Sequence, residues 1–361
     1  MYKSIILIFL FGLIIAVNNA QNINNNNNRQ LLQTASDSEG RIDVKGKDSI
    51  LLNNNLSMPI IALGTGGYNN SIAEDAVTKA IQMGFKHIHS AYDYYNLPGI
   101  GKALKKTVRE EIFLTSMTSP CIHTAAPPKR NVTNSQECYD TTLKELNELL
   151  TLLDVEYIDL VLLHGPSEPF GYEGGCSKKI CELNQAQYNA YKTFYKENKA
   201  RGIGVSNFCQ SCLECLENNA NDKNKEQHVI EDDLVPPAVN QIQLHVGMGS
   251  DPEGLISYCN DNNIAVQAYS PLAHGEVVSD PLCKKIGQTY ERSAAEVGLK
   301  WVLQQGRKQG AIVVKSDKIS SMKEDLQSLT WELNDDDVNI LSQATVPKGQ
   351  QNGRPSWGCA K

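Results

Sequence analysis

Eight short apolar runs punctuate this chain at regular intervals, and amphipathic stretches fill the gaps between them. The runs are IIAL (60–63), HIH (87–89), EIFLTS (111–116), YIDLVLLH (157–164), GIGVS (202–206), AVNQIQ (238–243), IAVQAYS (264–270) and AIVVKS (311–316). Between them, SIAEDAVTKAIQMG, TTLKELNELLTLL and SAAEVGLKWVLQQG carry apolar residues at helical spacing, the first closing on Gly84. Such alternation predicts an all-parallel α/β architecture, and eight units predict a closed (β/α)8 TIM barrel rather than an open doubly wound sheet. No G-x-G-x-x-G turn follows an early strand, which also weighs against the open dinucleotide-binding sheet. A chain of 361 residues is long enough to build the barrel as a single domain.

Outside the alternation the chain changes character. Residues 1–20 start with Lys3, continue through IILIFLFGLIIAV (5–17) and end on NNA with Ala20. That run is short for a bilayer span, so it reads as a signal peptide, an uncleaved anchor being the alternative. Once it is removed, no membrane insertion is expected. Residues 21–45, opening on QNINNNNNRQ, are too polar to bury a core and read as a disordered Asn-rich segment. The barrel is expected over 46–347 and a tail over 348–361, where Trp357 could fold back on the site.

The address implied is the secretory pathway, secreted or lumenal. All ten cysteines follow the apolar run, and in an oxidising lumen several should pair. Cys209, Cys212 and Cys215 in CQSCLEC have the spacing of a metal run, but no histidine stands nearby, so disulfides are expected ahead of zinc. Cys176 and Cys181 read as a loop staple, and Cys121 and Cys138 could staple the insertion 120–140. Sequons at Asn55, Asn69 and Asn131 agree with a glycoprotein. The net charge of −7, without a basic patch, excludes a nucleic-acid partner.

Barrels of this kind carry their chemistry at the C-terminal ends of the strands. Read in order, those ends are Gly64-Thr65-Gly66, His89 to Tyr94, Ser116-Met117, His164, Ser206-Asn207, Gln241, Tyr269-Ser270 and Lys315-Ser316. Polar and aromatic groups are expected to converge on one mouth.

Seven motifs in order then carry a family likeness: MPIIALGTGG, GFKHIHSAYDYYN, YIDLVLLHGP, GIGVSNF, PAVNQIQLH, AYSPL and VVKS…MKEDLQ. Over roughly residues 46–345 the chain resembles the aldo-keto reductases. The resemblance implies a barrel that uses a nicotinamide dinucleotide, usually NADPH, to reduce a small-molecule aldehyde or ketone. By position it implies that Ser206, Asn207 and Gln241 hold the carboxamide and that Tyr269 stacks on the nicotinamide ring. Gly64, Thr65, Ser270 and Leu272 complete that part of the cofactor set, with Lys315 and Ser316 as the phosphate pair. Ser321 stands where the family has an Arg for the 2′-phosphate, and Asp325 where it has an adenine-side Asn. Serine cannot read a phosphate bidentately and a carboxylate repels it, so the choice between NADP and NAD is open.

The catalytic group departs further. Tyr94 and His164 match the family's proton donor and the histidine that orients the carbonyl, but His89 stands at the Asp position and Met117 at the Lys position. An ammonium beside a tyrosine favours the phenolate, and a carboxylate keeps that ammonium charged. Losing the lysine leaves the carboxylate an unpaired buried anion, so the two are expected to be lost together. His89 could hydrogen-bond Tyr94 or carry partial charge at mildly acidic pH. His87 is expected on the opposite side of the strand, in a structural role. Three functions follow: a reductase of reduced or altered activity, a non-catalytic dinucleotide- or ligand-binding barrel, and a glycosylated structural module.

Overall fold

The computed structural model describes residues 48–123, 129–167, 176–217, 235–305 and 310–344. The expected signal peptide, the Asn-rich segment and the C-terminal tail lie outside the described residues.

In chain order the strands are β1 (Ser49–Leu51), β2 (Ser57–Pro59), β3 (Ile61–Gly64), β4 (His87–His89), β5 (Phe113–Thr118), β6 (Ile122–His123), β7 (Arg130–Asn131), β8 (Leu160–Leu163), β9 (Ile203–Ser206), β10 (Val239–Gln243), β11 (Ala265–Tyr269) and β12 (Ala311–Val314). Eight of them, β3, β4, β5 and β8 to β12, form a closed barrel in which each strand pairs with the next and β12 closes on β3. Every barrel pairing is parallel. The (β/α)8 barrel expected from the alternation is the fold found. A hairpin of β1 and β2 precedes it, and β6 and β7 form a small antiparallel pair in the insertion after β5.

One boundary moves with consequence for the site. The run EIFLTS begins as a 3₁₀ turn over Arg109–Glu111, so β5 starts at Phe113 and ends at Thr118. Met117 is therefore inside the strand and buried rather than at its tip.

The helices obey local rules. Helix α1 (Asn70–Met83) starts where the Asn69 side chain accepts the Ile72 amide at 2.9 Å and stops at Gly84, whose φ of 109° suits only glycine. It buries Ala73, Ala76, Val77, Ala80 and Met83, a stripe at helical spacing. Removing Val77 or Met83 from water contributes about 1.5–3 kcal/mol each. Next come α2 (Leu97–Leu104), α3 (Ser135–Leu153) and α4 (Lys178–Lys196), with Asn134 and Ser177 capping the last two. Short α5 (Gln210–Glu217) follows β9.

Disulfides tie the outer layer together. Cys121–Cys138 pins the insertion after β5 to α3, as expected. Cys176 and Cys181 do not pair with each other: Cys176 bonds Cys212 and Cys181 bonds Cys215. Cys176 precedes the N-cap of α4 and Cys181 lies in its first turn, while Cys212 and Cys215 are three apart on α5 and share a face. Two bridges thus join one helix start to one helix face. Cys209 is also disulfide-bonded, and Cys259 and Cys283 are buried free thiols. Among the described residues, no cluster of His, Cys, Asp and Glu is placed to hold a metal.

Candidate active site

The C-terminal mouth of the barrel opens into a cavity of about 690 Å³. Twelve of the residues expected at the site line it. From β3 and β4 come Gly64, His89 and Tyr94, from β8 and β9 His164, Ser206 and Asn207, and from β10 and β11 Gln241, Tyr269, Ser270 and Leu272. Lys315 and Asp325 line its outer part. Thr65, Met117, Ser316 and Ser321 do not. Thr65 is fully buried and its hydroxyl donates to the His89 carbonyl at 3.2 Å, while the Ser316 hydroxyl donates to the Lys318 carbonyl at 3.2 Å.

The carboxamide-type donors and acceptors sit together on neighbouring strands. Ser206 Oγ donates to the Gln241 carbonyl at 3.0 Å, and Asn207 Nδ2 donates to the His164 carbonyl at 3.0 Å. The Tyr269 hydroxyl donates to Asn207 Oδ1 at 2.8 Å, which fixes the phenol ring at the cavity wall. Asn207 has a φ of 59°, in the left-handed region that Asn tolerates better than most residues. A hydroxyl, two amides and a flat aromatic face match the polar edge and apolar face of a nicotinamide. The residues present therefore fit that group.

His89 is not where the tyrosine needs help. It is buried, and its Nε2 accepts from Gln241 Nε2 at 2.9 Å; the same amide donates to Gln267 Oε1 at 2.7 Å. An accepting Nε2 makes the ring neutral, with its proton on Nδ1. Burial, then the neighbouring His87 and His164, hold the imidazole well below its usual range. The expected bond to Tyr94 and the expected partial charge are therefore replaced by a neutral link to Gln241. His87 shares the face of His89, because residues two apart on a strand point the same way. Its Nδ1 donates to the Pro59 carbonyl at 2.9 Å and its Nε2 accepts from Thr115 Oγ1 at 2.8 Å, so its role is structural, one step deeper in the barrel.

Tyr94 packs over Gly66, where a β-carbon would lie 3.2 Å from its ring. Burial, then Asp93 and Tyr269, push its hydroxyl above the usual phenol range. The Tyr94 and His164 rings meet edge to face with centroids 5.8 Å apart. One residue absent from the expected set completes this corner: Asp93 Oδ2 lies 3.1 Å from His164 Nδ1. Burial pulls the Asp93 carboxyl upward, but the His164 hydrogen bond and charge outweigh it and leave it below its usual value. Its sequence signal was slight, a single acid inside YDYYN beside a position already assigned. His274 and Val313 also line the cavity without having been expected.

At the outer end, the Lys315 ammonium lies 4.7 Å from the Tyr68 ring centroid. Asp325 is only 5% exposed, and burial, then the charge of Glu324, raise its carboxyl from 3.8 to about 8. At neutral pH it is mostly protonated, so the repulsion of a phosphate expected from its sequence position is weakened. The folded value exceeds the unfolded one, so Asp325 favours folding below about pH 4 and loses that contribution as pH rises to about 8. Asp325→Asn should leave the melting temperature unchanged at pH 4 and raise it at pH 9. The gain there is on the order of 5 kcal/mol, read by thermal melts at both pH values.

The comparisons with known proteins agree with this geometry. The family model described as "Aldo/keto reductase family" matches residues 60–345. Glyoxal reductase of Bacillus subtilis (strain 168) is 29% identical over 298 residues, covering 82% of this chain and 92% of that protein. An aldo-keto reductase of Mycobacterium tuberculosis is 30% identical, covering 81% and 89%. Among solved structures, the aldo-keto reductase MGS-M4 from a Medee basin deep-sea metagenome library superposes with a TM-score of 0.66 at 29% identity, covering 82% of this chain and 94% of that one. A barrel of this topology, a mouth with this donor set and matches spanning most of the chain lead to one conclusion: the protein belongs to the aldo/keto reductase family.

Proposed function

We propose that this chain is a nicotinamide-dependent reductase of small-molecule aldehydes or ketones, working in the secretory pathway with an altered proton-delivery group. The observation that carries the reading is the single cavity in which Ser206, Asn207, Gln241 and Tyr269 meet Tyr94 and His164. When bound, the reduced nicotinamide supplies a hydride. The chain's own residues do the rest. Ser206, Asn207 and Gln241 orient the carboxamide, Tyr269 offers a ring face, and Lys315 is the one ammonium lining the cavity among the described residues. With Ser321 in the arginine position, Lys315 carries the dinucleotide's phosphate recognition. Low-dielectric walls around Tyr94 and His164 strengthen their polarisation of a bound carbonyl.

Support for the secretory address comes from the apolar N-terminal run and from disulfides that a reducing compartment does not sustain. Asn55, Asn69 and Asn131 are all exposed, as glycan acceptors must be. A second reading, a binding barrel without turnover, is favoured by one observation: the Gln241 amide nitrogen is already shared between His89 and Gln267.

The deciding experiment expresses the full chain in a secretory host and titrates it with NADPH and NADH, followed by cofactor fluorescence. Saturable binding with carbonyl-dependent oxidation of the cofactor supports the reductase. Binding without turnover supports the second reading, and no binding to a folded chain removes both. Tyr94→Phe should lower turnover about 10-fold or less, since a phenol without its ammonium is a poor acid. A loss above 10³-fold would make Tyr94 the proton donor.

A further inference from the structure

The family's tyrosine depends on an ammonium and a carboxylate, and this chain has neither in place: Met117 is buried, and His89 is turned to Gln241. A carboxylate does stand at the site, on the residue before Tyr94. Asp93 sits in the 3₁₀ turn Tyr92–Tyr94, and its Oδ2 accepts the Nδ1 proton of His164 at 3.1 Å. Their side chains are 11% and 19% exposed, so the pair is shielded from solvent while the ring still borders the cavity. With Nδ1 committed to Asp93, the other ring nitrogen, Nε2, is left for a ligand.

Resting on the reductase reading above, we propose that Asp93 is the positioning residue of an Asp93–His164 pair, and that His164 rather than Tyr94 gives its proton to the reduced carbonyl. The step balances. The carbonyl carbon accepts the hydride of the reduced nicotinamide, the C=O π bond breaks toward oxygen, and that oxygen takes the proton from His164 Nε2. The ring is left neutral, still donating Nδ1–H to Asp93, and a solvent proton restores it through the open mouth. Asp93 stabilises the imidazolium by charge and fixes which nitrogen faces the substrate.

The groups around the pair support this assignment. His89 and His123 come near from β4 and β6, but His89 is neutral, and Arg130 on β7 is committed to Glu145 in a buried ion pair. Tyr94 faces the ring edge to face, and its hydroxyl is pushed away from the range where it could donate readily. Besides His164, the Asp93 carboxylate meets its own backbone amide and the charge of His123, while its Oδ1 is buried without a side-chain partner. Asp93 is thus the carboxylate in hydrogen-bond contact with the His164 ring.

The test compares the parent chain with Asp93→Asn and Asp93→Glu, using two readouts. Asn keeps a hydrogen-bond acceptor but removes the charge. In nitrogen-15 histidine spectra of the cofactor-free protein, with the His164 signal assigned by His164→Gln, the imidazolium form should give way to the neutral ring at lower pH in Asp93→Asn than in the parent. Asp93→Glu should stay near the parent. In turnover, Asp93→Asn should lose about 10²-fold in kcat at pH 7.5 with KM little changed, and the loss should shrink as pH is lowered. A loss equal at every pH, or an imidazolium signal indifferent to Asp93→Asn, overturns the proposal. Should Asp93→Asn fail to fold, Asp93→Ser decides by the same two readouts. If no carbonyl is turned over by any chain, the reductase reading falls and the proton-transfer step falls with it, while the spectra still decide the Asp93–His164 pair.

Discussion

A double variant, His89→Asp with Met117→Lys, is expected to turn over carbonyl substrate about 10²–10⁴-fold faster than either single variant. Both positions are buried, and His89 pairs in register with Thr115, two residues before Met117 on the neighbouring strand. Met117→Lys alone buries an ammonium with no carboxylate at position 89 to meet it. That costs about 3–5 kcal/mol, or the lysine stays neutral and gives no help. His89→Asp alone buries a carboxylate with no cation to pair with, and exchanges the imidazole acceptor of Gln241 Nε2 for a shorter one. Together the two charges satisfy each other beside Tyr94, so the double variant should be more stable than the sum of the singles. Urea melts of all four chains give the coupling energy, and initial rates give the catalytic gain. A double variant no faster than Met117→Lys would mean that Tyr94 is misplaced for proton transfer whatever stands next to it.

The second large effect concerns the paired bridges. Cys176–Cys212 closes 36 residues and Cys181–Cys215 closes 34, between the same two segments. Once one bridge has formed, the other adds only the short ring between them. Chain entropy then gives about 3 kcal/mol for losing either bridge and about 6 kcal/mol for losing both. Against a total stability of about 5–15 kcal/mol, a loss of about 6 kcal/mol should give the chain with all four cysteines replaced by Ala the lowest melting temperature of the set, well below the parent's. Either two-cysteine variant should remain folded with a lowered melting temperature. Melts of the three variants read this directly, and an unaltered melt for the four-cysteine variant would show that helix packing, not the bridges, holds α5 against α4.

The legibility of this protein follows the range of the forces involved. Strand–helix alternation is local, set by apolar period and by caps such as Asn69 and Gly84, and it was enough to specify eight parallel strands and a closed barrel. Closure then forces strand ends to one mouth, which is why twelve expected site residues line a single cavity. The proposed replacement of an Asp–Lys pair rests on the resemblance by position, with His89 in GFKHIHSAYDYYN and Met117 near the end of β5.

Partnership was not readable. Sequence spacing placed His89 near Tyr94, yet its neighbour in the folded barrel is Gln241, 152 residues away, brought there by strand order. Cys176 and Cys181 looked like partners at five residues' distance, but helix geometry aims each at a different cysteine of α5. Asp93 carried no distinguishing signal until a 3₁₀ turn set its carboxylate against a histidine from a strand 71 positions later. Asp325 reads as an anion, and burial, joined by the charge of Glu324, makes it mostly neutral at pH 7. The sequence by itself determined the barrel and the residues at its mouth, because those depend on local pattern and on closure. The tertiary structure alone decided which groups carry charge and which touch, because hydrogen bonds act over about 3 Å and burial is a property of the whole fold.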